Sequence, residues 1–305
     1  MVPGRGKGKP FVTLFLQAVV GGLSIGAIYA LVAVGYNVVY ASSGVFNLAQ
    51  GQVLMVGVML TYQFRALNGF AAPLAVALAA ACCGALNVLI YLLAVHPMTR
   101  TRRHIALPTF VSTLGASIVI QNLVELHYGS LQQPFFQYFV VRGASLGGVI
   151  VTAQQVFMVG AALLIVFVYY LFIERTRWGS GLSAMSEDHE AASLRGVPVG
   201  RGRALSFFLA GVISGLAGAV IGPVTLADPT LGFTFALKGF VAMAIGGFGS
   251  STGALAGGAV LGTSEELFTT YGNDEYAIFA SLGLLLVVFI LRPRGLLGRL
   301  AVREV

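Results

Sequence analysis

The sequence is poor in charge and in cysteine. Asp, Glu, Lys and Arg make up 10% of its 305 residues while hydrophobic residues make up 57%; a soluble domain carries about a quarter charged residues. That balance excludes an ordinary soluble domain and marks an all-α polytopic membrane protein. Cys82 and Cys83 are the only cysteines and stand side by side in an apolar run, which excludes a disulfide framework or a cysteine metal site. Histidine is scarce as well: His96, His104, His127 and His189 share no metal-ligand spacing.

Other absences narrow the function. There is no Gly-x-x-x-x-Gly-Lys-Ser/Thr phosphate loop, no serine elbow, no His-Glu-x-x-His and no facing carboxylate pair. The expectation is a transport subunit, not an enzyme, with no cofactor of its own and no catalytic or metal residues. Charges inside apolar segments are few: Lys238 lies well inside one, and Glu125 and Arg65 lie near ends. Intramembrane charges are functional hypotheses by default, but a long stem at Lys238 also suits snorkelling to an interface. The series of embedded Asp, Glu and His that ion-coupled carriers use is missing.

What is present is a succession of apolar runs. Six are long enough to cross about 30 Å of hydrocarbon, at 11–36, 71–95, 105–126, 149–173, 204–225 and 276–291, with shorter or Gly-interrupted runs at 45–62, 233–248 and 254–267. About eight membrane segments, within a range of six to ten, are expected. The first run outlasts a secretory signal's apolar core and reads as a retained span. The chain divides into a basic tail at 1–10, a permease domain at 11–291 and a second basic tail at 292–305.

The net charge of +7 is distributed as a topology signal. Basic residues gather in the N-terminal tail, at Arg100, Arg102 and Arg103, at Arg175, Arg177, Arg195, Arg201 and Arg203, and at Arg292, Arg294, Arg299 and Arg303. The positive-inside rule predicts all four regions, and so both termini, to be cytoplasmic. Three segments between the first two regions then break parity, so one should be re-entrant or broken. The expected one is 45–62, which opens on Asn47, Gln50 and Gln52 and holds Gly51 and Gly57. A second break is expected at Gly246, Gly247 and Gly249. Irregular backbone survives at membrane depth only where protein or a water-filled path satisfies it, and binding sites sit where two such breaks meet. Asn47, Gln50, Gln52, Gly246, Gly247 and Gly249 are therefore the candidate substrate path. Glycines at 211, 215, 218 and 222, and at 22 and 26, read as helix-packing faces.

The long polar passage, 175–203, carries a helix signature of its own. Ser186 suits an N-cap, Glu187, Asp188 and Glu190 fill a first turn, Arg195 sits in the last turn, and Gly196 can end it before Pro198. A capped loop helix on a protein without an energy source suits docking of a separate ATPase, with ordinary surface cover as the plainer reading.

These residues are similar to a known family. The segment 184–196 (A-M-S-E-D-H-E-A-A-S-L-R-G), the run 22–40, Phe46-Asn47-Leu48-Ala49-Gln50-Gly51, Gly246-Gly247-Phe248-Gly249-Ser250 and Arg292-Pro293-Arg294-Gly295-Leu296 resemble, in order, the branched-chain amino acid ABC transporter permeases of the H type. The resemblance implies a bacterial inner-membrane subunit importing aliphatic amino acids, with relatives that serve urea, short amides or other amino acids. It implies as partners a second related permease, two cytoplasmic ATPase subunits that bind the ATP, and a periplasmic substrate-binding protein, with no nucleic acid. It further implies ATPase coupling through Ser186, Glu187, Asp188, Glu190, Ala191, Ala192, Leu194 and Gly196. Where the family pattern often has His, Gly and an acid, this chain has Gln50-Gly51-Gln52. A self-sufficient channel is the competing class.

Overall fold

The computed structural model describes residues 11–101, 106–139, 143–146, 148–272, 277–292 and 295–297. The tail at 1–10 and most of 292–305 lie outside them, as do Arg102, Arg103, Asp274, Glu275 and Arg294.

The chain is helical, as its apolar runs require. Helix α1 (Phe11–Ser43) is 33 residues long, and nearly every residue from Ile28 to Val39 is buried, so it is the central post. An irregular stretch at 44–49 leads into α2 (Gln50–Tyr62), which continues through a π-helical turn, Gln63–Leu67. Next, α3 (Ala72–Ile90) runs through a second π turn, Tyr91–Val95, into α4 (His96–Thr101), followed by α5 (Ala106–Tyr128). A hairpin of β1 (Gly143–Leu146) and β2 (Val149–Thr152) precedes α6 (Ala153–Arg175). Two short helices, α7 (Arg177–Glu187) and α8 (His189–Leu194), precede α9 (Val199–Thr225). The chain ends with α10 (Leu231–Gly246), α11 (Ser251–Tyr271) and α12 (Ala277–Leu291).

Five of these elements are long and apolar enough to span a membrane, and α10 with α11 forms a pair bent by 115° at its break. The shorter α2 and α12 bring the number of membrane segments to about eight, as expected. The span expected from 149 starts later, because 149–152 pair in the hairpin and Thr152 caps α6. Its hydroxyl accepts from Gln155 N at 3.3 Å, and Gln155 Oε1 accepts from Thr152 N at 2.9 Å, a reciprocal capping box.

Small residues let the posts touch. A Cβ on Gly26 would stand 2.5 Å from the Gly258 carbonyl, and one on Gly211 would stand 2.4 Å from the Cys83 carbonyl, so α1 lies directly on α11 and α9 on α3. In lipid no hydrophobic drive pulls helices together, and such close backbone approach takes its place.

The bundle has two distinct ends. At the first, Gln17 exchanges hydrogen bonds with Ile150 of β2 (2.9 and 2.8 Å), and the Tyr271 hydroxyl donates to the Phe11 carbonyl at 3.3 Å. Gln133 pairs there with Ala227, and Asp228 accepts from Gln132 and from both the backbone and hydroxyl of Thr230. Burial alone would raise the Asp228 carboxyl, but those hydrogen bonds outweigh it and hold it below its ordinary value. At the second end, Ser42 of α1 shares a cavity wall with Ser183 and Ser186 of α7 and with Ser251 at the start of α11.

The start of α1 at Phe11 thus lies at the opposite end of the bundle from α7 and α8, whereas the charge pattern expects the tail before it, which lies outside the described residues, on their side. Three basic residues in the tail are a weak orienting signal beside a 33-residue helix whose central residues are buried. The parity problem disappears with it. α1, α2 and α3 are three crossings between opposite ends, so 45–62 need not re-enter. The break falls at 44–49, and the helix beyond it runs unbroken for about 27 Å through the π turn. Gly51 and Gly57 do not break α2; they seat it against Gly232 and Gly215.

This arrangement is checked by cysteine accessibility. With Cys82 and Cys83 replaced, Phe11→Cys should react with an impermeant maleimide on intact cells, and Ser180→Cys only after permeabilisation. Labelling of both from the same side would refute it.

Candidate translocation and coupling sites

The first break is closed by amide side chains. Asn47 Nδ2 donates to Asn87 Oδ1 at 2.8 Å and to Gln50 Oε1 at 3.4 Å. Asn87 Nδ2 donates to the Phe207 carbonyl at 2.7 Å and to Gln50 Oε1 at 3.3 Å. Gln50 Nε2 donates to Ser214 Oγ at 2.7 Å and to the Ala210 carbonyl at 2.9 Å. Three fully buried amides, each with two protons to place, thereby staple the break to α3 and α9. Leu48 N–H reaches Thr113 Oγ1 of α5 at 3.3 Å. Asn47 and Gln50 are structural staples in this state, facing protein on all sides. Gln52 turns away from them towards α5, where its Nε2 donates to Gln121 Oε1 at 3.3 Å.

The second break is built differently. Gly247 and Gly249 take positive φ (108° and 76°), which closes the turn between α10 and α11. Asn37 of α1 clamps it from both sides, donating to the Ser250 carbonyl at 3.0 Å and accepting from Gly249 N–H at 2.8 Å. Ser250 Oγ caps α11 by accepting from Gly253 N–H at 3.0 Å. The carbonyls at the end of α10 accept from Leu296 and Leu297 N–H at 2.8 and 2.9 Å. Gly246 and Gly247 are packed against Gly253 and Gly295 with no room beside them. Gly249 alone of the three glycines borders open space, a cavity of about 990 Å³ between α1, α6, α7 and the start of α11. The structure thus separates the candidate path residues into two closed breaks, with Gln52 and Gly249 bordering on other features.

Lys238 does not snorkel. It forms an ion pair with Glu265 of α11, donates to the Tyr29 hydroxyl at 3.0 Å, and lies 5.2 Å from the centre of that ring. The pair ties α10, α11 and α1 together in the half of the bundle away from α7.

The coupling segment is two helices, not one from Ser186. Thr176 caps α7 by accepting from Gly179 N–H at 2.9 Å, and α7 runs to Glu187. Asp188, in extended backbone, is the cap of α8: its Oδ1 accepts from Ala191 N–H at 3.0 Å. Ser186 instead bonds back to the Ser183 carbonyl at 2.7 Å and faces the cavity. Asp outcompetes Ser here because the apolar residues of α7, Leu182 and Met185, recur at helical spacing and draw that helix two residues further. Glu187 and Asp188 are exposed, and Gly196 ends the segment at φ 83°. Ala192 packs inward on Leu182 and Met185. Leu194 is 89% exposed, an apolar side chain presented outward on a polar loop. The side chain of Glu190 lies outside the described residues. Sequence reasoning passed over Asn37, Asn87 and Gln121; an amide in the middle of an apolar run is the signal that marks each of them.

A helical bundle with close-packed glycine faces, two side-chain-satisfied breaks and an outward-presented loop pair defines a polytopic membrane permease. The family model described as "Branched-chain amino acid transport system / permease component" matches residues 18–291, and the chain belongs to that family. It is 32% identical to the high-affinity branched-chain amino acid transport system permease protein BraD of Pseudomonas aeruginosa, over 97% of this chain and 100% of that one. Identity to LivH of Escherichia coli is 33%, over 95% and 98%. The fructose import permease protein FrcC of Rhizobium meliloti is 27% identical over 92% of this chain and 76% of its own length.

Two substitutions test these networks. Asn87→Ala removes the bonds to the Phe207 carbonyl, Asn47 and Gln50 and leaves one Asn47 proton buried without an acceptor, at about 1–3 kcal/mol, and should lower the thermal midpoint in detergent below that of the lipid-facing control Leu89→Ala. Lys238→Met leaves Glu265 unpaired and should cost about 3 kcal/mol, whereas the double change Lys238→Met with Glu265→Met should recover most of that loss.

Proposed function

We propose that this chain is one membrane subunit of an ABC importer for branched-chain aliphatic amino acids in a bacterial inner membrane. Two cytoplasmic ATPase subunits bind and hydrolyse the ATP, a second related permease completes the path, and a periplasmic binding protein delivers the solute. On this reading α7, α8 and the 295–297 segment face the cytoplasm, and the start of α1 faces the periplasm. Membership of the family, together with higher identity to BraD and LivH than to FrcC, supports this substrate class over a sugar. The observation that carries the coupling is Leu194, 89% exposed on α8, with Glu187 and Asp188 exposed beside it.

Leu194 is the apolar anchor for a groove in the ATPase subunit. Its helix is backed by Ala192, Leu182 and Met185, and Met185 fills the space left by Gly202 on α9, where a Cβ would come within 2.4 Å of the sulfur. Displacement of α8 on ATPase closure is passed through that contact to α9, which carries the Gln50 and Asn87 staples. Glu187 and Asp188 supply the polar rim.

Leu194→Glu keeps the helix former and removes the anchor. A buried hot-spot side chain contributes about 2 kcal/mol or more. The variant should insert normally, lose ATPase subunits on purification, and take up radiolabelled leucine at least tenfold more slowly in cells. Normal uptake by this variant would sink the assignment of the docking site.

A further inference from the structure

The inner face of α5 carries polar side chains every fourth residue: Thr109, Thr113, Ser117, Gln121 and Glu125. A four-residue step advances about 400° around an α-helix, so the row drifts about 40° per step while climbing roughly 24 Å in all. Burial follows that drift. Thr109 and Thr113 are fully buried, Ser117 is 4% exposed, and Gln121 and Glu125 are half-buried towards the end of the bundle that holds the hairpin. Hydroxyls in such a row are met by their own helix or by neighbours, as Thr113 is by Phe110, Phe46 and Leu48, but a carboxylate at its end is costly unless something uses it.

A second observation points to what that is. Gln52 of α2 is 1% exposed, faces this row, and its Oε1 has no hydrogen-bond partner, as is also true of Thr109 Oγ1 at the row's deep end. The orientation of Gln52 follows from chemistry. The Glu125 carboxylate only accepts, so Gln121 turns its Nε2 to it (2.9 Å) and its Oε1 to Gln52. Gln52 must then present Nε2 to Gln121 (3.3 Å), which leaves its own Oε1 as a buried, unpaired acceptor. Gly232 of α10 makes room for this amide, since a Cβ there would stand 2.1 Å from Oε1 and 2.9 Å from Nε2 of Gln52. An orphaned buried acceptor costs about 1–3 kcal/mol, and Gln121 links this one to the Glu125 carboxylate.

We infer that Gln52 Oε1 and Glu125, bridged by Gln121, form a subsite for the ammonium group of an α-amino acid entering along the polar row of α5. The unpaired Gln52 Oε1 and the Glu125 carboxylate are both acceptors, so the site favours a donor bearing positive charge. A sugar or a neutral amide would leave the carboxylate without its counter-charge. Gln121 is a positioning residue that fixes which atom of Gln52 is free. The subsite rests on the amino-acid reading of the function.

The test uses the complete transporter in proteoliposomes, with radiolabelled leucine presented by its binding protein and ATP hydrolysis measured in the same vesicles. Gln52→Leu and Glu125→Gln should each lower leucine uptake at least tenfold while binding-protein-stimulated ATP hydrolysis and subunit stoichiometry persist. Gln52→Glu, which keeps an acceptor but cannot donate to Gln121, should retain uptake within about threefold. Uptake unaffected by Gln52→Leu overturns the subsite and leaves the amino-acid importer standing. So does a Gln52→Glu variant as inactive as Gln52→Leu, because Gln52 would then act as a structural donor. A wild-type complex that moves fructose or urea but not leucine overturns the functional reading, and the ammonium subsite with it.

Discussion

Hydrocarbon supplies no hydrogen bonds, and that constraint shapes every irregular feature of this chain. Where a helix stops inside the bundle, its free N–H and C=O groups must find protein partners or cost several kcal/mol each. The two breaks meet this demand in different ways. At 44–49 the Thr113 hydroxyl serves the Leu48 N–H and the Phe46 carbonyl, Asn47 Oδ1 takes the Ala49 N–H, and three side-chain amides tie the break to α3 and α9. At 247–250 one asparagine on the central helix serves both a donor and an acceptor of the turn, and the 295–297 segment covers the carbonyls at the end of α10. Asn37 can do this because α1 is held against α11 along its glycine face, so its side chain arrives at a fixed depth.

The same constraint explains what was legible beforehand. Spans are written in apolar run length, and five of the six longest runs proved to be long apolar helices, with the sixth a shorter helix at α12. The breaks were legible too, because Asn47 and the 246–253 glycines stand out against an apolar background. What each break is for was less so. Side-chain amides can line water or pair with one another, and only packing decides; Asn87, forty residues away, is what turns Asn47 and Gln50 into staples. The end of the bundle at which α1 starts was not legible, because charge counts a few tail residues, whereas the contacts of Phe11, Gln17 and Tyr271 depend on geometry that no local pattern encodes. The hairpin at 143–152 escaped for a related reason, its second strand being as apolar as the helix that follows. The loop helix was visible in composition, yet its division at Asp188 depended on the apolar spacing of α7, a pattern that reads clearly only once Leu182 and Met185 are seen to pack together.

Position matters as much as presence for the few charges. Lys238 and Glu265 lie in the half of the bundle that also holds the β-hairpin, the Asp228 turn and the contacts of α1 with Tyr271. Moving either residue of that pair apart would expose an uncompensated charge to a medium of low dielectric, so α1, α10 and α11 are held in one arrangement there. The opposite half, next to α7 and α8, contains neutral amides, hydroxyls and glycines at its breaks.

That asymmetry bears on how such a bundle can change shape. A neutral hydrogen bond exchanged for another of equal kind changes the energy by about 1 kcal/mol or less, while separating a buried ion pair costs several times that. Rearrangement is therefore cheapest at the end where the breaks are stapled by Asn37, Asn47, Gln50 and Asn87, and where the 990 Å³ cavity leaves room between α6, α7 and the start of α11. The loop pair α7 and α8 abuts that same end and grips α9 through Met185 and Gly202. A force applied to the loop thus meets the compliant half first, with the charged half acting as the fixed frame against which it moves.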